Sequence, residues 1–275
     1  MNTQVLLKSA YSQNPKLLPQ EIDQLLALAL HKKPEYIYKN QDKELLLPAI
    51  KKFNKLLRRK QQNYPLAYLR GYQEFYGLKF LVNKNVLIPR PESELLVEQA
   101  LKFIKKIKNP KIIDLGTGSG CLIIALAKNN PRPAEYLATD ISIKALRTAK
   151  TNSRRLGLKN KIKFIKSNLL NKIPQQKFDL IIANLPYLTF QQLKEPSIQQ
   201  EPRQALLAGK DGLKYYQKLL KKLPAYLAEK YLILLEIDPK QKNQLESLIQ
   251  QSLPNSKIQF LKDLAGNIRV IKIFK

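Results

Sequence analysis

A mostly parallel, doubly wound α/β sheet is the fold this sequence predicts, preceded by a small helical domain. Three observations carry the prediction. From Lys111 onward, strand-like runs alternate with helical stretches. A glycine-rich turn joins the first of those strands to the helix after it. Before about Lys60, leucines recur at three- and four-residue spacing. The 275 residues suffice for one large domain and a small one, and a hydrophobic fraction of 44% supports a substantial core.

The segment MNTQVLLKSAYSQNPK has no long apolar stretch and no small-residue cleavage site, and reads as part of a mature cytoplasmic chain. LPQEIDQLLALALHK, from Leu17, has the helical period, with Pro19 and Glu21 near its start. DKELLLPAIKKFNKLLRRKQ repeats it, and Pro48 is expected to end or kink that helix. The basic stretch Lys51 to Lys60 reads as a solvated helix face, and His31, the only histidine, falls at a helix end without a catalytic role.

YPLAYLRGYQEFYGLKFLVNKNVLIPRPESE then sets Gly71 and Gly77 among aromatic and β-branched residues, the pattern of a β-hairpin linker. A helix should begin after Pro91, with Glu92 and Glu94 in its first turn. Beyond it KIIDL, EYLATD, KIKFIK, FDLIIA and KYLILLEI read as strands. CLIIALAKNN, SIKALRTAKTNSRRLG and GLKYYQKLLKKLPAYLAE read as helices. KIQFLKDLAGNIRVIKIFK closes the chain with two strands around Gly266 and Asn267, an antiparallel hairpin at the sheet edge.

No run of 18 apolar residues occurs, so no transmembrane helix is predicted. One cysteine, Cys121, excludes an internal disulfide, and no metal site is predicted. Cys121 opens the helix after the glycine turn, where a thiolate would be stabilised, but no histidine lies near it and a small core residue is the better reading. The net charge of +28 attracts nucleic acid by counterion release. The charge is spread evenly, however: net +7 over residues 1–75 and +21 over 76–275, with lysine far exceeding arginine. That favours a compositional bias, with nonspecific affinity for RNA or ribosomes as a by-product.

The first chemical motif is KIIDLGTGSGCLIIALA: strand, turn, helix. Gly116, Gly118 and Gly120 let the backbone turn sharply and approach a ligand, with Thr117 and Ser119 between them. The spacing is G-x-G-x-G, not the dinucleotide pattern G-x-G-x-x-G. The next strand ends in Asp140, placed to accept hydrogen bonds from both hydroxyls of a ribose. Asp140 would repel a 2′-phosphate, and Asp114 puts a second carboxylate where a dinucleotide would bring negative charge. A cationic nucleoside fits better, namely S-adenosylmethionine, with Asp114 at its methionine end, directly or through water. Asn168 and Leu169, after the third strand, suit the edge and face of adenine; a simple turn is the other reading of Asn168.

The second motif, ANLPY, follows the fourth strand, where ligands of open α/β sheets bind. The carboxamide oxygen of Asn184 and the backbone carbonyl of Leu185 can hold an NH2 group by both hydrogens. Pro186 restricts Leu185 to extended conformations. Tyr187 would present an aromatic face to a planar target. Such a clamp suits an amide or exocyclic amine whose lone pair is delocalised.

These residues resemble those of the bacterial peptide-chain-release-factor glutamine-N(5) methyltransferases. The resemblance runs through PLAYLRGYQEFYGLKF, LIPRPESE, DLGTGSG, ATDIS, NLPY, EPRQALLAGKDGLKYY, LLEI and DLAGNIRVIKI, nearly the whole chain. It implies a Rossmann-like class I S-adenosylmethionine-dependent methyltransferase domain over residues 91–275. It also implies a helical, substrate-recognising domain over 1–72 and a β-hairpin linker over 73–90. The implied reaction is methyl transfer to the glutamine amide in the Gly-Gly-Gln motif of class I release factors, with Asn184 and the Leu185 carbonyl holding that amide. Arg90, Pro91, Glu201 and Pro202 are expected either around the site entrance or in hairpin and loop packing. The family motif is N-P-P-Y, and here Leu185 replaces its first proline; Asn168 stands where the family carries an acid.

Three other readings compete. One is a glutamine methyltransferase of a ribosomal protein. Another is an adenine-N6 methyltransferase on rRNA or DNA, whose dimethylating members share N-L-P-Y; the even spread of basic charge opposes it. The third is a non-catalytic ribosome-associated module, against which stand the intact Gly116, Gly118, Gly120, Asp140 and Asn184.

Overall fold

The computed structural model describes all 275 residues. They form two compact units, Met1–Gly71 and Tyr72–Lys275. No helix is long and apolar enough to cross a membrane.

The first unit holds α1 (Thr3–Gln13), α2 (Pro19–Leu30), α3 (Pro34–Lys39), α4 (Leu47–Gln61) and α5 (Leu66–Arg70). Its core is built from Ile22, Leu25, Leu26, Ile37 and Phe53, all essentially inaccessible to solvent. Buried Asp23 accepts hydrogen bonds from the hydroxyls of Tyr11 and Tyr38, which ties α1 and α3 to α2. Helix α1 has no counterpart in the sequence reading; the Asn2 side chain caps it by accepting from the Val5 amide at 2.9 Å. Pro48 corrects a second expectation. It does not interrupt a helix but lies in the first turn of α4, where its missing N–H is no loss.

The second unit opens with the hairpin β1 (Tyr72–Phe75) and β2 (Leu78–Leu81). Its two loop residues, Tyr76 and Gly77, both have positive φ, as tight hairpin turns require. Residues 82–90 are irregular. Next come α6 (Glu94–Ile104), β3 (Lys111–Leu115), α7 (Cys121–Asn129), β4 (Glu135–Asp140), α8 (Ile143–Arg155), β5 (Ile162–Lys166) and β6 (Phe178–Ala183). They are followed by α9 (Lys214–Leu220), β7 (Leu227–Glu236), α10 (Lys242–Ser252), β8 (Lys257–Lys262) and β9 (Ile268–Phe274).

The sheet runs β5-β4-β3-β6-β7-β9-β8. Its first five strands are parallel, and β9 pairs antiparallel with both β7 and β8. The buried faces form two apolar clusters, one on each side. The stretch read as one helix, 212–229, is helical only over α9. Pro224 enters a 3-10 turn, and β7 begins at Leu227. Helix α10 leaves little signal in the sequence because its apolar stripe is thin, with only Leu245 and Ile249 buried.

The chain moves outward from β3 to β4 and β5, then crosses back to place β6 on the other side of β3. That reversal opens a crevice at the carboxyl ends of β3, β4 and β6. Helix α7 is held close to α8 by Gly120, where a Cβ would lie 2.7 Å from Ile124 Cδ1 and 3.2 Å from Ala149 Cβ. Its φ of +83° adds backbone strain for any other residue. Gly120→Ala should therefore cost about 2–5 kcal/mol, the sum of left-handed strain and overpacking. Gly266→Ala, at an equal φ with nothing within 4 Å, should show only the strain of about 1–2 kcal/mol. Urea midpoints for the two variants provide the comparison.

Candidate active site

A cavity of about 260 Å³ opens at the crevice. Its walls come from the 84–90 loop, the glycine turn, the ends of β4, β5 and β6, and residues 202–205.

The glycine turn is anchored by one oxygen. The amides of Gly116 and Thr117 both donate to the carbonyl of Thr139 at 2.8 Å, binding the end of β3 to the end of β4. The turn then closes on Asp140. One carboxylate oxygen accepts from the Gly118 amide at 2.9 Å and the other from the Ser142 amide at 2.7 Å. Burial raises the Asp140 pKa, and these amide hydrogen bonds oppose the rise. Gly116, Thr117, Gly118, Ser119 and Asp140 all line the cavity.

Asp114 and Gly120 do not. Gly120 packs helices, as described above. Asp114 is fully buried beneath the turn and accepts from the Thr117 hydroxyl at 2.7 Å, while its other oxygen has no partner. Asp114 thus supports the turn under Thr117 and does not itself form part of the cavity wall. Burial pushes its carboxyl up to about 7, with Asp140 adding to the rise and the Thr117 hydrogen bond opposing it. Asn168 and Leu169 both line the cavity. Leu169 holds a φ of +52°, rare for a leucine, and the Asn168 carbonyl closes a turn onto the Asn171 amide at 3.1 Å. Asn168 is therefore a turn former and a wall residue together. Cys121 also lines the wall, with a thiol pushed up to about 12 by burial, so it stays protonated.

At the end of β6, Asn184, Leu185 and Pro186 reach the cavity. The Asn184 Nδ2 donates to Ser93 Oγ at 3.1 Å. Ser93 Oγ donates in turn to buried Glu236 Oε2 through a short hydrogen bond. The other Glu236 oxygen accepts from the Tyr187 hydroxyl at 3.4 Å. Tyr187 corrects an expectation, since it does not line the cavity. Its hydroxyl is drawn toward Glu236, and its carbonyl accepts from Gln241 Nε2 at 3.0 Å. Gly212 makes room for that carbonyl, which a Cβ would meet at 2.2 Å.

The two segments left open between entrance and packing serve as both. Arg90 and Pro202 line the cavity; Pro91 and Glu201 do not. Glu201, only 3% exposed, accepts from the Ile88 amide at 3.0 Å and pairs with the Arg90 guanidinium. It thereby latches the 84–90 loop over the cavity. Ser93 and Glu236 were not singled out from sequence, although IPRPESE and LLEI contain them.

Comparison with known proteins matches two regions of the chain. The family described as methyltransferase small domain matches residues 91–205, and the PrmC N-terminal domain matches residues 2–71. The release factor glutamine methyltransferase of Rhodopirellula baltica is 36% identical over 231 residues, covering 81% of this chain and 78% of that protein. The chain belongs to the release factor glutamine methyltransferase family. A bifunctional methyltransferase of Rickettsia bellii is 34% identical over 290 residues, covering 94% of this chain and 51% of that protein. This chain thus spans about half the length of that relative. Among solved structures, the ribosomal protein L11 methylase of Lactobacillus delbrueckii subsp. bulgaricus aligns with a TM-score of 0.50 and 25% identity, over 67% of this chain and 79% of that one. The second unit of this family member has the class I methyltransferase fold.

The buried acids give two expectations. A carboxyl whose folded pKa exceeds its unfolded value of 3.8 destabilises the protein as pH rises from about 4 to about 7, and above that the cost is complete. Between pH 4 and pH 8, urea unfolding should therefore shift in favour of Asp114→Asn over the wild type by roughly 4 kcal/mol, at about 1.4 kcal/mol per pKa unit. Glu201→Ala strands the buried Ile88 amide and should cost about 1–3 kcal/mol. The accompanying rise in hydrogen exchange should be local to residues 84–90.

Proposed function

We propose that this chain transfers a methyl group from S-adenosylmethionine to the side-chain amide nitrogen of the glutamine in the Gly-Gly-Gln motif of class I peptide chain release factors. This would support translation termination in the cytoplasm. The observation that carries the reading is the orientation of Asn184. Its Nδ2 is committed to Ser93, while its Oδ1 takes no hydrogen bond from the protein, on the wall of the cavity that also holds Asp140.

The residues present fit the donor. Each Asp140 oxygen already takes one backbone amide and keeps lone-pair capacity for a ribose hydroxyl. Gly116 and Gly118 expose backbone without side chains, so a ligand can lie against the turn. Asn168 and Leu169 offer a polar edge and an apolar face for a purine. When bound, the donor supplies an electrophilic methyl group on a sulfonium.

The acceptor's NH2 group would be held by Asn184 Oδ1 and the Leu185 carbonyl, one hydrogen to each. Leu185 is 2% exposed, and Pro186 confines its backbone to extended conformations. Holding both hydrogens orients the amide nitrogen and supports its loss of planarity. Alignment of this kind contributes up to about 7–11 kcal/mol in well-oriented intramolecular reactions. No general base is needed, because the proton leaves a nitrogen that has become cationic. Tyr187 is not placed to act as one, since burial holds its hydroxyl protonated against Glu236. The net charge of +28 adds a nonspecific attraction to RNA-rich assemblies where release factors work.

Incubation with labelled methyl donor tests the reading against three acceptors: a class I release factor, its Gln→Ala variant and rRNA. Label is expected on the wild-type factor alone; label on rRNA would overturn the proposal. Asn184→Ala should lower turnover by about 10²–10³-fold, as removal of one preorganised polar partner does elsewhere. Calorimetry should show its donor affinity unchanged.

A further inference from the structure

We propose that Ser93 and Glu236 are positioning residues that fix which end of the Asn184 amide faces the acceptor. The inference rests on the amide-clamp reading of Asn184 and adds the reason the clamp points the right way.

A carboxamide has one accepting and one donating end of nearly equal size. Turned one way, Asn184 offers the cavity an oxygen that can accept from an incoming NH2. Turned the other way, it offers an NH2 and meets the acceptor donor to donor. Packing barely distinguishes the two states, so hydrogen bonding has to. Ser93 alone cannot do so, because a hydroxyl both donates and accepts. It could accept from Nδ2 or, with its hydrogen rotated, donate to Oδ1.

Glu236 removes the choice. An ionised carboxylate only accepts. One Glu236 oxygen takes the Ser93 hydrogen and the other the Tyr187 hydroxyl. With its single hydrogen spent, Ser93 can offer Asn184 only lone pairs. Nδ2 therefore turns to Ser93, at 3.1 Å, and Oδ1 is left for the cavity. The chain is buried where it must be, with Ser93 and Glu236 each 2% exposed. It links residues 91 and 143 positions apart in sequence, so it depends on the completed fold. Glu236 sits at the end of β7, and Tyr216 donates to its backbone carbonyl at 2.5 Å, which fixes the strand end itself. Burial raises the Glu236 pKa and Glu92 adds to the rise, while the hydrogen bond from Ser93, the charge of Arg269 on β9 and the hydrogen bond from Tyr187 oppose it and favour the ionised form.

The test uses the full chain, a class I release factor and S-adenosylmethionine. Ser93→Ala and Glu236→Gln should each lower turnover at saturating substrates by roughly tenfold or more, with donor affinity unchanged. Ser93→Thr, which keeps the hydroxyl, should restore most of the loss. By calorimetry on enzyme loaded with S-adenosylhomocysteine, release-factor affinity should also fall in Ser93→Ala and Glu236→Gln. In an Asn184→Ala background neither substitution should lower turnover further, because both act through Asn184. Losses that simply multiply would indicate a general structural role and overturn the proposal. So would wild-type turnover in both single variants while Asn184→Ala is inactive. If Asn184→Ala itself keeps full turnover, the clamp fails, and this inference fails with it.

Discussion

Two amide hydrogens, from Gly116 and Thr117, share the carbonyl oxygen of Thr139. That shared acceptor sets the site. It pulls the turn after β3 against the end of β4, which brings the Gly118 amide within reach of the Asp140 carboxylate. Parallel strands order their ends alike, so a reversal of strand order beside β3 was bound to leave a gap. The shared oxygen decides its floor. Thr117 completes that floor by donating its hydroxyl to Asp114, so the buried carboxylate supports the turn from below.

Charge is sorted by depth in this molecule. The surface carries the lysines, and a few acids are withdrawn from it. Asp23, Asp114, Asp140, Glu201 and Glu236 are all buried. Each gathers donors: two tyrosine hydroxyls at Asp23, a threonine hydroxyl at Asp114, and two amides at Asp140. Glu201 takes an amide and a guanidinium, and Glu236 a serine and a tyrosine hydroxyl. A carboxylate accepts at both oxygens, so one buried acid can join segments far apart in sequence. Desolvation makes each of them costly, and the donors offset that cost. Three of the five border the cavity from behind. The acids that shape the site are thus the ones the net charge of +28 says least about.

What the sequence disclosed follows from range. Strands KIIDL, EYLATD and FDLIIA were legible to the residue, because burial on both faces makes a parallel strand continuously apolar. The glycine turn and Asp140 were legible because the turn and the strand end are local features of fixed spacing. Pro48 was misread because a proline's effect depends on whether the helix has already begun, which composition does not show. Tyr187 and Asp114 were assigned to the ligand because their neighbours reach it. Their actual directions are set by Glu236 and Thr117, and for Tyr187 also by Gly212, 25 positions on. Ser93 and Glu236 were invisible for the same reason. A serine after a proline and an acid at a strand end acquire meaning only when the fold sets them side by side.

Leu185 shows how such a fold absorbs a local departure. A proline at this position would lock the backbone whose carbonyl would complete the proposed clamp. A leucine leaves φ free, and in an exposed loop that freedom would loosen the carbonyl. Here the side chain is packed into the apolar cluster beneath β6 and β7. It lies against the glycine turn, with Cδ2 3.4 Å from where a Cβ on Gly116 would stand. Moving the Leu185 backbone would drag that side chain out of a close-packed site, at a cost on the scale of the roughly 1.5–3 kcal/mol for exposing a buried leucine. Pro186 still confines the dipeptide to extended conformations from the other side. The rigidity supplied covalently by proline is supplied here by packing, and the contact that supplies it is made with the turn on which the donor would lie. The glycine turn and the corner after β6 are thereby built against each other.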